Sequence, residues 1–150
     1  MTGNTIELPR ITQTLDYSCG AACFESMYRF LKRGEHADDL FFARELGTLE
    51  LGYTLPERVA ELARQYKFNV DFQKGLSLQQ LQLAFNAQSV LFVTWWYEDS
   101  GHYSLVKRID ESHILLMDPW EARDGKDNLL SLADFEKFWT QRGAVLIFGR

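Results

Sequence analysis

The chain has 150 residues, of which 46% are hydrophobic and 25% are charged. This length and composition are typical of one globular domain, residues 1–150, whose core needs no disulfide or metal, and they exclude a disordered chain. The formal net charge of −5 at pH 7 argues against nucleic acid as a partner, because phosphate binding needs clustered lysine and arginine.

No targeting or membrane-spanning segment is visible in the sequence. The first ten residues lack the basic and apolar regions of a signal peptide. The longest apolar runs, such as residues 90–93, are far too short to span a bilayer. Cys19 and Cys23 are four residues apart on one predicted helix, where they are poorly placed to form a disulfide. These features predict a soluble cytoplasmic protein with reduced thiols.

In chain order, the N-terminal half is mainly helical. Apolar residues at helical spacing predict a first helix over residues 19–33. Shorter helices are predicted over residues 38–46, from residue 54 onward, and from residue 77 to about 86. The last two open with the capping-box spacing, which pairs Thr54 with Glu57 and Ser77 with Gln80.

The C-terminal half is dominated by short segments rich in β-branched and aromatic residues. Strands are predicted over residues 68–72, 90–97, 102–109, 113–117 and 144–148, and a last helix over residues 131–140. Helices first and strands later indicate an α+β fold, with the helices on one side of a mostly antiparallel sheet.

The segment from Gln13 to Cys19 contains a candidate nucleophile. Cys19 begins the first predicted helix, where unpaired backbone N–H groups and the helix dipole favour a thiolate, the nucleophilic form of cysteine. We expect Gly20 to let a substrate backbone come close to the sulfur, because glycine has no side chain. Gln13 precedes Cys19 by six residues, and its side-chain amide can donate hydrogen bonds to an oxyanion.

The chain has three histidines that could serve as the base for such a thiol. His36 and His113 lie in polar turns, and we expect both to be exposed. His102 follows a turn and opens a predicted strand, which is a rigid support for a general base. An isolated histidine at a strand start is more often a polar turn residue, but its combination with Gln13 and Cys19 favours His102 as the base.

Asp118 is a candidate for the group that orients the base. It follows the strand after the one that His102 opens, and antiparallel pairing of two such strands places Asp118 close to His102. Pro119 restricts Asp118 to extended geometry, and a carboxylate in this position can bind an imidazole N–H. The Asp-Pro dipeptide also commonly starts a turn, but the topology favours the functional interpretation.

These residues, in this order, resemble the C39 branch of the papain-like cysteine peptidases, which process bacteriocins and double-glycine leader peptides. The resemblance covers essentially all of the chain and implies a papain-like α+β fold. It implies that Cys19 is the nucleophile, His102 the general base, Asp118 the orienting acid and Gln13 the oxyanion donor. No cofactor or metal is expected.

The resemblance also implies the reaction and its partners. The expected reaction is cleavage of a peptide bond after a Gly-Gly-type leader sequence, with an ABC transporter or secretion system as a partner of the enzyme. Two alternatives remain open, because papain-like Cys-His-Asp sites also serve glutamine deamidases and acyltransferases, and a C39-like domain can bind a leader without cutting it. Cys23 is expected to be a core residue, while Trp95 and Trp96 either line a groove or belong to the core.

Overall fold

The computed structural model describes residues 5–32, 37–97, 100–120, 123–140 and 142–149, with only the backbone at residues 96, 97 and 100. The helices within these residues are α1 (Cys19–Lys32), α2 (Asp39–Glu45), α3 (Thr48–Leu51), α4 (Pro56–Gln65), α5 (Leu78–Ala84) and α6 (Leu132–Phe138). The strands are β1 (Asn69–Lys74), β2 (Ser89–Tyr97), β3 (Ser100–Ile109), β4 (His113–Met117), β5 (Asn128–Ser131) and β6 (Gly143–Phe148). No helix in this part of the chain is long and apolar enough to cross a membrane.

The six strands form one sheet in the order β1-β6-β2-β3-β4-β5, and all neighbouring strands are antiparallel. Helices cover both faces of this sheet. Successive strand residues point to opposite sides, so the strands contribute side chains to a core on each face. Phe92 packs on Phe24 of α1 on one face, whereas Trp95 packs on Phe135 of α6 on the other. The fold is therefore α+β as predicted. The expected one-sided arrangement holds only for the N-terminal helices, since α5 and α6 cover the second face.

Helix α1 is held in the core of the first face. All residues from 20 to 27 are buried, including the carboxylate of Glu25, which pairs with Arg29 at 2.6 Å. The helix begins at Cys19 as predicted and is described as far as Lys32. The predicted last residue of the helix, residue 33, lies outside the described residues.

Helix α4 begins later than its capping-box pattern predicts. Its N-cap is Leu55, which makes no side-chain cap, and Pro56 occupies the first turn. Thr54 is instead buried and its hydroxyl oxygen lies 2.6 Å from that of Thr48. The predicted cap at Thr54 is therefore wrong, because its hydroxyl forms a hydrogen bond with Thr48 and does not cap the helix. The capping box predicted at the start of α5 is confirmed.

Two short elements, α3 and β5, were not predicted. Helix α3 has four residues, between Gly47 and Gly52, and both glycines have positive φ angles, of 78° and 80°. Strand β5 also has four residues and pairs with β4 at the edge of the sheet. Neither element is long enough to show a helical or strand period in the sequence.

Gly20 is buried against the segment that leads from α3 to α4. A Cβ atom at this position would lie 2.8 Å from the Oγ1 atom of Thr54. This distance is shorter than any van der Waals contact, so packing requires a glycine here. The expected role of Gly20 in substrate approach is not what the structure shows, because Thr54 covers the position.

We expect Gly20→Ala to lower the free energy of unfolding. Inserting an extra methyl group into a closely packed site typically costs about 1–3 kcal/mol. This cost exceeds the gain of at most about 1 kcal/mol from the better helix propensity of alanine. Urea unfolding measures the difference. Gly143→Ala is the control, because a Cβ there would lie 3.6 Å from Thr94, an ordinary contact. Equal stabilities of the two variants would contradict the packing argument.

Candidate active site

Strands β3 and β4 bring His102 and Asp118 together. Leu105 pairs with Met117, so Asp118, one residue after β4, lies beside the first residues of β3. The Nε2 atom of His102 is 2.6 Å from Oδ1 of Asp118. Both side chains are buried, with exposed fractions of 7% and 1% for the two residues. The proximity that the antiparallel topology predicts is therefore present in the structure.

Asp118 is held by two further donors. The backbone N–H of Trp120 donates to Oδ1 at 3.1 Å, and the side-chain amide of Asn128 donates to Oδ2 at 3.1 Å. Burial raises the pKa of Asp118, but the hydrogen bond and charge of His102, with these two donors, lower it below its ordinary value. The carboxylate is therefore charged and fixed in orientation. Sequence analysis missed Asn128, which begins the unpredicted strand β5.

Cys19 is half-buried at the start of α1, and its side chain interacts with His102. Burial lowers the pKa of His102, whereas hydrogen bonding to Asp118 and to Cys19 and the charges of both groups raise it, to about 9. His102 is therefore positively charged at neutral pH. The ring thus lies between a thiol on one element and a carboxylate on another.

Two tryptophans flank the imidazole of His102. The ring centroids of Trp95 and Trp120 lie 6.0 Å and 6.3 Å from that of His102, both with edge-on geometry. Trp95 is buried opposite His102 in the pairing of β2 with β3, and its indole N–H donates to Ser104. Trp95 is thus a core residue that shields the His102–Asp118 hydrogen bond from water. The side chain of Trp96 lies outside the described residues.

Gln13 lies next to the same strand ends. Its backbone N–H donates to the carbonyl oxygen of Pro119 at 2.9 Å, directly after Asp118. Its side-chain Nε2 donates to the carbonyl oxygen of Leu15 at 2.7 Å, and the side chain is buried. An amide nitrogen carries two hydrogens, so the bond to Leu15 uses only one of them. The Gln13 loop is thereby attached to the segment that holds the carboxylate.

Cys23 and His113 are where the sequence predicts them, in the core and at the surface. Neither Cys19 nor Cys23 forms a disulfide. Cys23 is a buried core residue, as expected, and burial raises the pKa of its thiol well above the ordinary value. His113 is exposed as predicted and its Nδ1 lies 2.8 Å from the hydroxyl of Ser112, whereas His36 lies outside the described residues. Among the described residues, no group of three His, Cys, Asp or Glu side chains could hold a metal ion.

A cysteine at a helix start beside a histidine and an acid on an antiparallel sheet is typical of papain-like cysteine peptidases. The chain matches the model of the Peptidase C39 family over residues 7–150, and it therefore belongs to that family. The predicted resemblance is confirmed.

Solved structures show the same fold. A double glycine motif protease from an AMS/PCAT transporter, in complex with its leader peptide, has a TM-score of 0.78 and 15% identity, and the match covers 100% of this chain and 99% of that one. The peptidase domain of Streptococcus ComA, a bi-functional ABC transporter involved in a quorum sensing pathway, has a TM-score of 0.74 and 18% identity, covering 93% and 97%. In sequence, an uncharacterized protein from Methanothermobacter marburgensis is 28% identical over 116 residues, which is 75% of this chain and 72% of that protein.

We expect the His102 ring to titrate with a pKa of about 9, above the ordinary 6.5. Because the folded protein raises this pKa, the stabilisation from the charged ring is complete below pH 6.5 and is lost as the pH rises through about 9. Replacing Asp118 with asparagine removes the negative charge and moves the pKa down. NMR of the imidazole resonances measures both values. A wild-type ring that titrates near 6.5, or a pKa that is the same in Asp118→Asn, would contradict this electrostatic picture.

Proposed function

We propose that the chain is a cysteine peptidase that cleaves peptide bonds through Cys19, with His102 as general base and acid and Asp118 as the orienting group. The observation that carries the proposal is the position of His102 between the Cys19 thiol and the buried carboxylate of Asp118. A charged imidazole beside a cysteine at a helix start favours the thiolate, which is the form that attacks a carbonyl carbon.

The acylation step uses both ring nitrogens of His102. Nε2 is held by Asp118, so Nδ1 exchanges the proton with the reacting groups. The thiolate of Cys19 attacks the carbonyl carbon of the scissile bond, and the carbonyl electrons move onto its oxygen. When the tetrahedral intermediate collapses, the carbon–nitrogen bond breaks and the imidazolium gives its proton to the leaving amine. A thioester on Cys19 remains.

Deacylation reverses the roles of the same groups. The neutral imidazole of His102 takes a proton from a water molecule while the water oxygen attacks the thioester carbonyl. The carbon–sulfur bond then breaks, the carboxylic acid leaves, and the thiolate of Cys19 is restored beside the imidazolium. Asp118 stays ionised throughout and stabilises the charged ring.

We assign the stabilisation of the oxyanion to Gln13 and to the backbone N–H of Cys19. The Gln13 amide is buried and one of its N–H groups is fixed by Leu15, which leaves the other to donate. The N–H of Cys19 is in the first turn of α1, where helical hydrogen bonding does not use it. Donors that are already in place cost no reorganisation when the negative charge develops.

We propose a leader peptide that ends in two small residues as the substrate class. Support comes from the related double glycine motif protease, whose structure contains a leader peptide. Further support comes from an apolar surface on α2, α3 and the segment before α4. Its partly exposed side chains are Leu40, Phe41, Leu49, Leu51, Tyr53 and Leu55. The segment before α4 comes close to the start of α1, because Thr54 packs on Gly20, the residue after Cys19. A cytoplasmic location and an ABC transporter or secretion system as partner are part of the same proposal.

Two measurements test the nucleophile and the reaction together. Brief treatment with iodoacetamide at pH 6 should add one label to the wild-type protein and to Cys23→Ala, and none to Cys19→Ala, as measured by intact mass. A synthetic peptide with a Gly-Gly sequence should be cut after the second glycine, and Cys19→Ala should reduce this rate at least about a thousandfold. The same peptide with Val-Val at the site is the substrate control.

Each outcome of these measurements decides a separate point. Labelling at Cys23, or cleavage that survives in Cys19→Ala, would remove Cys19 from the nucleophile role. A mass gain of about one dalton in an intact glutamine-containing substrate would indicate a deamidase. Cleavage of the Val-Val peptide at the same rate would contradict the double-glycine specificity and leave the peptidase assignment in place.

We expect Gln13→Ala to lower kcat by roughly ten- to a thousandfold, because an oxyanion donor is lost while the thiol and His102 remain. KM should change little, since the amide binds the oxygen more strongly in the transition state than in the substrate. Steady-state kinetics on the Gly-Gly peptide give both constants. Gln13→Glu is the matched variant, because it keeps the size of the side chain but removes the donor. An unchanged kcat in both variants would exclude Gln13 from the oxyanion site.

A further inference from the structure

Asp39 is a buried carboxylate that the proposed reaction does not use. It is the first residue of α2, and only 4% of its surface is exposed. Burying a charge is costly unless hydrogen bonds compensate for the lost water. The partners of Asp39 therefore indicate what the carboxylate holds in place.

All of these partners belong to the turn between Gln13 and Cys19. The backbone N–H of Thr14 donates to Oδ2 at 2.8 Å, and the Thr14 hydroxyl donates to Oδ1 at 2.7 Å. The hydroxyl of Ser18 lies 3.3 Å from Oδ2. Thr14 follows Gln13 and Ser18 precedes Cys19, so one carboxylate holds both ends of the turn.

A chain of hydrogen bonds connects Asp39 to the Gln13 side chain. The hydroxyl of Ser18 accepts the N–H of Leu15 at 2.9 Å, and its single proton is shared between Asp39 and the carbonyl oxygen of Leu15, which is 3.0 Å away. That carbonyl oxygen accepts Nε2 of Gln13 at 2.7 Å. The orientation of the Gln13 amide therefore depends on Leu15, and the position of Leu15 depends on Ser18 and Asp39.

Capping of α2 does not account for Asp39. The N-cap of α2 is Asp38, whose side chain accepts the N–H of Phe41 at 2.9 Å. The neighbouring carboxylate of Asp39 points to a different segment, the turn before α1. The two adjacent aspartates thus have separate tasks, and Asp38 provides a matched control for Asp39.

We propose that Asp39 is a positioning residue that acts through the Gln13 amide. Its carboxylate fixes the 14–18 turn, and the turn holds the amide ready to donate to the oxyanion. This inference rests on the proposed function, because it assumes that Gln13 donates to the oxyanion of an acyl-transfer reaction.

The test compares a reaction that forms an oxyanion with one that does not. Cleavage of the Gly-Gly peptide develops negative charge on oxygen, whereas alkylation of Cys19 by iodoacetamide displaces iodide at a saturated carbon. We expect Asp39→Ala to lower kcat for the peptide by about ten- to a thousandfold, with KM and the alkylation rate changed less than about threefold. Asp38→Ala should keep the wild-type kcat. Loss of kcat and alkylation in equal measure would indicate a general structural role and overturn the proposal.

A double variant shows whether Asp39 acts through Gln13. If it does, Asp39→Ala lowers kcat little further when Gln13→Ala is already present, whereas independent effects would multiply. Ser18→Ala is the second single variant, because it breaks the connection between Asp39 and Leu15 while the carboxylate remains. We expect Ser18→Ala to lower kcat as Asp39→Ala does. If Asp39→Ala does not fold, the kcat of Ser18→Ala tests whether the turn positions Gln13. Wild-type kcat in Ser18→Ala and multiplied losses in the double variant would each contradict the proposal.

Failure of the proposed function gives a different result. If the wild-type protein does not cleave the Gly-Gly peptide and Cys19 is not alkylated, the peptidase assignment fails and this inference fails with it. If the wild type cleaves the peptide and Asp39→Ala cleaves it at the same rate, only the role of Asp39 is wrong.

Discussion

The hydrogen bond between His102 and Asp118 depends on the register of β3 and β4, and the charge of His102 depends on this bond. Side chains alternate along a strand, so a shift of one residue would turn Asp118 to the opposite face of the sheet. The pairing of Leu105 with Met117 prevents this shift near the site, and the irregularity in the register occurs further along, between Val106 and Arg108. The carboxylate can therefore raise the pKa of His102 and keep it charged beside Cys19.

The surroundings of this bond keep the charges effective. Trp95 and Trp120 cover the imidazole, and Asn128 and the backbone of Trp120 donate to the carboxylate. Removing water strengthens the attraction between the charges, while the hydrogen bonds compensate for part of the desolvation. The backbone N–H of Gln13 donates to Pro119 in the same segment, so the loop that carries Gln13 is attached directly beside the carboxylate.

Local sequence patterns were sufficient to predict much of the fold and of the site's geometry. Strand β4 was predicted with its observed bounds, because polar turns limit its apolar run, and the start of α1 at Cys19 was correct, because apolar residues recur there at helical spacing. His102 and Asp118 were placed near each other because two consecutive strands joined by a short turn leave few alternatives.

The residues that sequence analysis missed act over long distances in the chain. Asn128 is ten residues from its partner Asp118, and Asp39 is twenty-five residues from Thr14. No periodic or turn pattern in the sequence predicts such a hydrogen bond, because it forms only when separate elements pack together. The failed cap at Thr54 has the same cause, since a local pattern was overridden by packing against Thr48 and Gly20.

The position of β6 in the sheet has a consequence for biosynthesis. This strand is the last of the six described strands in sequence, yet it lies between β1 and β2 and pairs with both. While the ribosome is still making residues 143–148, β1 has no neighbour in the sheet and the edge of β2 is open, which is a site for wrong pairing with other chains. The sheet can close only after these residues leave the exit tunnel, when the other five strands have already been made. A nascent chain therefore has its thiol long before it has the complete sheet that supports the site.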